Sequence, residues 1–458
     1  CKVMISNRCA RKSLVTNCYS IISKNYLRFL VDSNDRAMIW DEFLRHFRFC
    51  DEEDSGLSDE EQERKGPKNR PKHTRKTGYI KPRKTFWRNS KQLLKALWVV
   101  FVFAAYPFYL KAEILNDTKN ETNIILFIGD GMSLAQWQTG MIMSEEPLNI
   151  ERMRSIGLVK TNSLTDFNGD GPSHGTAIAS GTNTRKGAIG ISPDGKPLKS
   201  IIEYAMEIGL ATGIVSANTL LEGSIAPFIA HVESRIQKDE IAKAYVKQAP
   251  NVFIGGGMSY FQKNENDRDL LDELKGKGYN IAKDIDGIGN TRDRKLAIFT
   301  SESSMPDILH GRGNIFTESV RSAISFLSQR NKGFFLLVGD MFIDRASHAR
   351  NTELVGLETI DLDKAIGIAL DFAEKEGNTL VIVVGGPEAS GMALTDGNIQ
   401  KHEVMAKWAM HGMIHTGTMV SMFSYGPGSE NFQGTMKNTD VFFHIKRLLF
   451  NECTKNTK

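Results

Sequence analysis

Apolar and polar positions alternate along this chain in two regimes. From about Asn123 onward, short runs of Val, Ile, Leu and Phe, closed by Gly, Asp, Asn or Pro, are separated by segments with helical spacing. Ile124–Ile128 (IILFI), Ala211–Val215 (ATGIV), Phe334–Val338 (FFLLV), Leu380–Val384 (LVIVV) and Met419–Tyr425 predict strands. The clearest helix is predicted over Thr352–Glu376, where Leu354, Leu357, Ile360, Leu362, Ile366, Leu370 and Phe372 recur until Gly377 stops it. Continuous apolar strands alternating with helices describe an α/β, three-layer fold: a largely parallel central sheet with helices on both faces. In such sheets ligands gather beyond the carboxyl ends of the strands. Those ends carry Gly129-Asp130-Gly131, Gly339-Asp340 and Gly385-Gly386-Pro387-Glu388.

The chain before Asn123 reads differently. Arg64 to Lys95 is dense in Lys and Arg, with Pro and Gly and little apolar material, so residues 1–95 are expected to be a basic, disordered extension. Residues 96–110, ALWVVFVFAAYPFYL, are uncharged and apolar, shorter than the roughly 20 residues that span a bilayer. With the basic flank before it and Ala112 behind it, the 96–112 segment predicts a secretory signal or a membrane anchor. A secreted, periplasmic or membrane-anchored protein on the extracytoplasmic side is the consequence. Asn116 and Asn120 begin N-x-T patterns, glycosylation acceptors in a eukaryotic secretory pathway, although such patterns are common by chance.

Charge and cysteines narrow the field further. Basic and acidic residues nearly cancel, 58 against 54, for a net charge of +4, so no nucleic-acid partner is expected. The basic tract has no recognisable nucleic-acid motif and no regular aromatic interleaving, and a solvated flank is a simpler account than a nucleic-acid or anionic-membrane contact. Cys1, Cys9, Cys18 and Cys50 precede the domain and Cys453 closes it, so disulfides do not hold it together.

From IILFIGDGMSLAQ onward the chain resembles the alkaline phosphatases. The likeness continues through HGTAIASGTNTRKGAIGISPDGKPLKSI, FIAHVESR, NVFIGGGMSYF, FFLLVGDMFIDRASHARNTE and NTLVIVV to HTGTMVSMFSYGPGSENFQGTMKNTD, so residues 123–458 are expected to be one domain of that family. The resemblance implies hydrolysis of phosphate monoesters by a serine between two zinc ions, beside a magnesium ion and an arginine that grips phosphate. Paired metals activate the nucleophile and stabilise the leaving oxygen, while the guanidinium supplies bidentate hydrogen bonds.

Carried over residue by residue, the resemblance gives one complete zinc site: Asp344 and His348 of IDRASHARN, with His415 of HTG. An Asp and a His four residues apart share one side of a helical turn, and a third ligand from a distant loop leaves an open position. Asp130 matches the carboxylate shared by the second zinc and magnesium, but Gly386 and Pro387 stand where the family has an Asp-His pair. Gly339 replaces the expected magnesium-binding Glu, Ser224 replaces the Thr, and the adjacent Asp340 points to the other face of its strand. Asp130 and Ser224 alone would leave a magnesium site made mostly of water.

The nucleophile position is Gly171, since Asp170-Gly171 stands where the family has Asp-Ser. Ser173 is a weak substitute candidate, opposed by Pro172 and by the match on both sides. Arg235 matches the phosphate-gripping arginine and Asp170 the acid that positions it, while Glu222 lies where relatives have His or Asp near magnesium. Glu388 stands where the family also has Glu. The expectation is an alkaline-phosphatase-family protein with impaired catalysis, a pseudophosphatase. It keeps one zinc ion without the second zinc or magnesium, binds a phosphate ester or phosphate-like anion, and forms a homodimer by family resemblance. The alternative is a working metal-dependent phosphomonoesterase with a remodelled site, using metal-bound water or Ser173.

Overall fold

The apolar runs become strands because each is buried on both faces. In the computed structural model the strands are β1 (Asn123–Gly129), β2 (Ser155–Lys160), β3 (Ala211–Thr219), β4 (Val252–Gly256), β5 (Tyr279–Ala282), β6 (Lys295–Ser301), β7 (Phe334–Asp340), β8 (Thr379–Gly385), β9 (Met392–Asn398), β10 (Glu403–Trp408), β11 (Val420–Tyr425) and β12 (Gly434–Lys437). Ten of them form one sheet in the order β12-β2-β11-β8-β1-β7-β3-β4-β6-β5, and β9 with β10 forms a separate pair. Within the large sheet only β11 runs antiparallel to its neighbours. The structure describes residues 123–262, 269–285, 295–330 and 332–450. The basic extension, the 96–112 segment, the cysteines and both N-x-T patterns lie outside them. Among the described residues no helix is long and apolar enough to cross a membrane.

All five predicted strands are present, and β1, β7 and β8 are buried along their whole length. Alternate residues feed two cores: Ile124, Leu126 and Ile128 point to one, Ile125 and Phe127 to the other. At roughly 1.5–3 kcal/mol for each fully buried large aliphatic or aromatic side chain, these central strands anchor the fold.

Five helices matter for the site: α1 (Leu134–Met143), α2 (Gly171–Ser180), α3 (Ile315–Ser328), α4 (Phe342–His348) and α5 (Thr352–Glu376). The last has the predicted bounds. Asn351 caps it by accepting from Leu354 N at 3.0 Å, and Gly377 ends it in the left-handed region at φ +69°. Its apolar spacing did not anticipate that it also buries Glu358, Asp361 and Asp363.

Asp363 accepts from the backbone of Asn149 and Ile150. Glu358 and Asp361 both accept from the fully buried Arg312, the latter at 2.7 Å, and Arg312 lies over the Phe342 ring at 4.6 Å. Asp340, at the end of β7, adds its charge to this cluster. Three carboxylates around one guanidinium favour retention of a proton. Burial, with the charge of Asp340 adding, pushes Glu358 up to about 8 against the pull of Arg312.

The sign follows from linkage. Folded Glu358 holds its proton where the unfolded side chain, titrating near its ordinary 4.5, has lost it, so stability falls as pH rises toward about 8. Thermal melts between about pH 6.5 and 8.5 should show a falling Tm. Glu358→Gln keeps a partner for Arg312 and should flatten that slope; an unchanged slope would place the titrating proton elsewhere.

Candidate functional site

Three adjacent strands bring the predicted motifs to one edge. In the order β8-β1-β7, Gly129 pairs with Asp340 on one side and Gly385 on the other, and Ile128 pairs with Gly339. Past the strand ends, Asp130 N donates to Asp340 O at 2.8 Å and Gly386 N donates to Gly129 O at 2.7 Å. Gly131 sits at φ +72°, and a Cβ there would lie 2.4 Å from Asp344 Cα, so glycine is needed for the turn to pass α4.

Asp344 and His348 lie one turn apart on α4, and His415 meets them from a loop that bridges to Ala389. Asp344 Oδ1 is 3.0 Å from His415 Nε2 and 3.3 Å from His348 Nε2, and one ligand atom from each of the three residues lies within 4.8 Å of the others. The His348 ring is oriented from behind: its Nδ1 donates to Gly412 O at 3.2 Å, with Ser390 Oγ at 3.1 Å. That leaves Nε2 unprotonated, and it is buried without a hydrogen-bond partner among the described residues. An inward bare nitrogen backed by a carbonyl is how a metal-binding histidine is held. Burial alone would raise the Asp344 carboxyl, but the neighbouring imidazoles of His348 and His415 hold it well below the usual carboxylate range.

Glu388 is committed to the scaffold. It accepts from Gln136 Nε2, Met392 N, Gly391 N and Thr416 Oγ1, so it fastens the His415 loop to α1.

Gly171, Gly339 and Gly386 lie against neighbouring side chains that would have to shift to admit a side chain. A Cβ at Gly386 would lie 2.2 Å from Asp130 Oδ1, and one at Gly171 would lie 2.7 Å from Asp130 Oδ2. At Gly339 it would meet Ile225 Cγ2 at 2.4 Å, and Ser224 Oγ donates to Met341 Sδ at 3.3 Å. The Asp340 carboxylate accepts from Phe342 N at 2.7 Å and interacts with Arg312. Asp130 is buried, and its Oδ1 has no hydrogen-bond partner among the described residues. Burial, with the charge of Asp344 adding, pushes it up to about 7.

Asp170 caps α2. Its Oδ1 accepts from Ser173 N at 3.0 Å, and Ser173 Oγ accepts from Asp170 N at 3.1 Å and lies 3.2 Å from Asp170 O. Ser173 is therefore a buried capping residue. Gly187 joins Asp170 to the arginine: its N donates to Asp170 Oδ2 and its O accepts from Arg235 N, both at 2.8 Å. Arg235 is exposed, and its charge reaches Asp130.

Sequence reasoning passed over three residues. Arg345 pairs with Glu222 at 3.3 Å, and the charges of Glu222, Arg235 and Arg345 all act on Lys238, whose ammonium burial pulls down. Positive charge thus outweighs the single carboxylate there. His174 on α2 is fully buried, with Nε2 donating to Gly385 O at 3.1 Å and burial pulling it down to about 4. Its neutral ring packs against the end of β8. Neither the two cations nor this histidine belongs to an apolar period, and only the fold brings them to the site.

A metal-ligand group beside a cluster of basic side chains, at the carboxyl edge of a mainly parallel sheet, fits the metal-dependent phosphoesterases as a class. The alkaline phosphatase family model matches residues 121–391, more than half of the chain, and the chain belongs to that family. Alkaline phosphatase 4 of Bacillus subtilis is 28% identical over 423 residues, covering 74% of this chain and 91% of the relative. The alkaline phosphatase of Escherichia coli is 28% identical over 408 residues, with 72% and 86% covered. Among solved structures, the alkaline phosphatase of the Antarctic bacterium TAB5 is 33% identical with a TM-score of 0.68, covering 72% of this chain and 99% of that one.

The crowding around Asp130 is open to measurement. Gly386→Ala should destabilise the protein by roughly 1–3 kcal/mol in urea unfolding, as overpacking does. An unchanged midpoint would mean that Asp130 swings aside freely.

Proposed function

We propose that this chain is a pseudophosphatase: an alkaline phosphatase family member that holds one zinc ion at Asp344, His348 and His415 and a phosphate-like anion at Arg235, with little or no hydrolysis. The observation that carries this reading is the packing of the three glycines. Asp130 fills the space beside Gly171 and Gly386, and Ile225 fills the space beside Gly339. The residues present fit one metal and do not fit the other two. Gly386 and Pro387 offer no ligand, Ser224 is turned to Met341, and Asp340 to Phe342 and Arg312.

A bound zinc ion would supply Lewis-acid polarisation and a water of lowered pKa. His348 and His415 would hold it with their Nε2 atoms and Asp344 with a carboxylate oxygen. Arg235, held through Gly187 to Asp170, would grip an anion with its guanidinium, and Arg345 and Lys238 would add positive charge nearby. The three-ligand group also supports the second reading, a working phosphomonoesterase with a remodelled site. Ser173 is a poor nucleophile for it, because its hydroxyl is tied to the Asp170 backbone.

Export through residues 96–112, a basic extension over 1–95 and a homodimer complete the proposal, on the sequence pattern and the family resemblance. Cell fractionation and sedimentation test them; a cytosolic monomer would sink both export and dimer.

With zinc and magnesium supplied, p-nitrophenyl phosphate hydrolysis by the full chain should be indistinguishable from buffer, and Gly171→Ser alone should not restore it, because Gly386 and Pro387 still offer the second metal no ligand. Hydrolysis that His348→Ala abolishes would establish the remodelled enzyme instead.

A further inference from the structure

A cleft of about 540 Å³ opens between the loop after β2 and the strand approach at Gly417 and Met419, which follows His415 in the chain. Its volume lies within the range of small-molecule sites. The loop is tied to both halves of the centre. Asn168 Nδ2 donates to His415 O at 2.8 Å, and Lys186 Nζ donates to Asn168 Oδ1 at 2.8 Å, one residue before the Gly187 that links Asp170 to Arg235. A ligand gripped at Arg235 and the metal group would therefore have this cleft at its side.

The lining is of two kinds. Phe167 leaves 79% of its surface exposed, with Met419 also exposed nearby. The same cleft is lined by Lys160, Thr161, Asn162 and Ser163, and by Asp166, whose carboxylate accepts from Ser163 Oγ at 3.1 Å. Thr161 is almost fully buried, and its hydroxyl has no partner among the described residues, an arrangement that calls for an additional polar partner. Hydroxyls, an amide, a carboxylate and an ammonium in one cleft with an aromatic face suit a hydroxyl-rich ring. An alkyl chain would desolvate those polar groups without replacing their hydrogen bonds.

Resting on the proposed anion site, we propose that this cleft binds the sugar of a sugar phosphate, with the ring against Phe167 and its hydroxyls toward Thr161, Asn162 and Lys160. The cleft then selects which phosphate ester the protein retains.

Calorimetric titration of the zinc-supplied full chain with inorganic phosphate, glucose 1-phosphate and n-butyl phosphate tests this. Glucose 1-phosphate should bind at least about tenfold more tightly than the other two, a gap typical of one or two added contacts. Phe167→Ala should close that gap while leaving phosphate affinity unchanged, and an unchanged thermal melt of this variant at an exposed position separates the loss from misfolding. Equal affinities for the three ligands, or a gap that survives Phe167→Ala, would overturn the inference. The anion site has a separate readout, since Arg235→Ala should weaken phosphate itself. If phosphate does not bind at all, the anion reading fails; glucose 1-phosphate binding that Phe167→Ala removes would still support the cleft, and no binding would overturn it as well.

Discussion

The centre of this protein depends on how one carboxylate is packed. Asp130 leaves the end of β1 between β8 and β7, and its two oxygens lie against Gly386 and Gly171. In a metal-rich centre such a carboxylate would be shared between cations. Here it is buried without a hydrogen bond on Oδ1 among the described residues, and burial favours its protonated form. The sheet register fixes the neighbours, so any side chain restored at position 386 or 171 has to displace Asp130.

The remaining chemistry divides around that point. On one side α4 and the His415 loop present two imidazoles and a carboxylate, oriented by Gly412 O and by the four hydrogen bonds of Glu388. On the other, Gly187 couples Asp170 to Arg235, with Lys238 and Arg345 close by. Between them Gly171 stands against Asp130 Oδ2 and Gly339 against Ile225 Cγ2. On the proposed reading, the side chains that would hold a metal and an anion are kept, while those that would break a phosphate ester are replaced by packing.

Much of this was legible in the sequence. Runs such as FFLLV and LVIVV are apolar at every position, which a doubly covered strand explains, and α5 shows its period and its stop. Shorter or half-exposed strands such as β2, β9 and β12 carry no such pattern and were missed. Asp344 and His348 stand four residues apart, but their reading as ligands came only from the family resemblance, as did their meeting with His415 from a loop 67 residues away in sequence from His348. Buried charge was the least readable feature. Glu358 and Asp361 look like the solvent side of a helix until Arg312 is found beneath them. Likewise Ile225 reads as ordinary core, and only the fold shows that it fills the space at Gly339.

The central claim is that one metal position survives and the others have been packed shut. The most direct measurement is the metal content of the full chain after saturation with zinc and magnesium and removal of free ions, read by elemental analysis. The account predicts one zinc and no magnesium per chain, with the zinc lost in a His415→Ala variant. Two zinc ions with magnesium on each chain would contradict it.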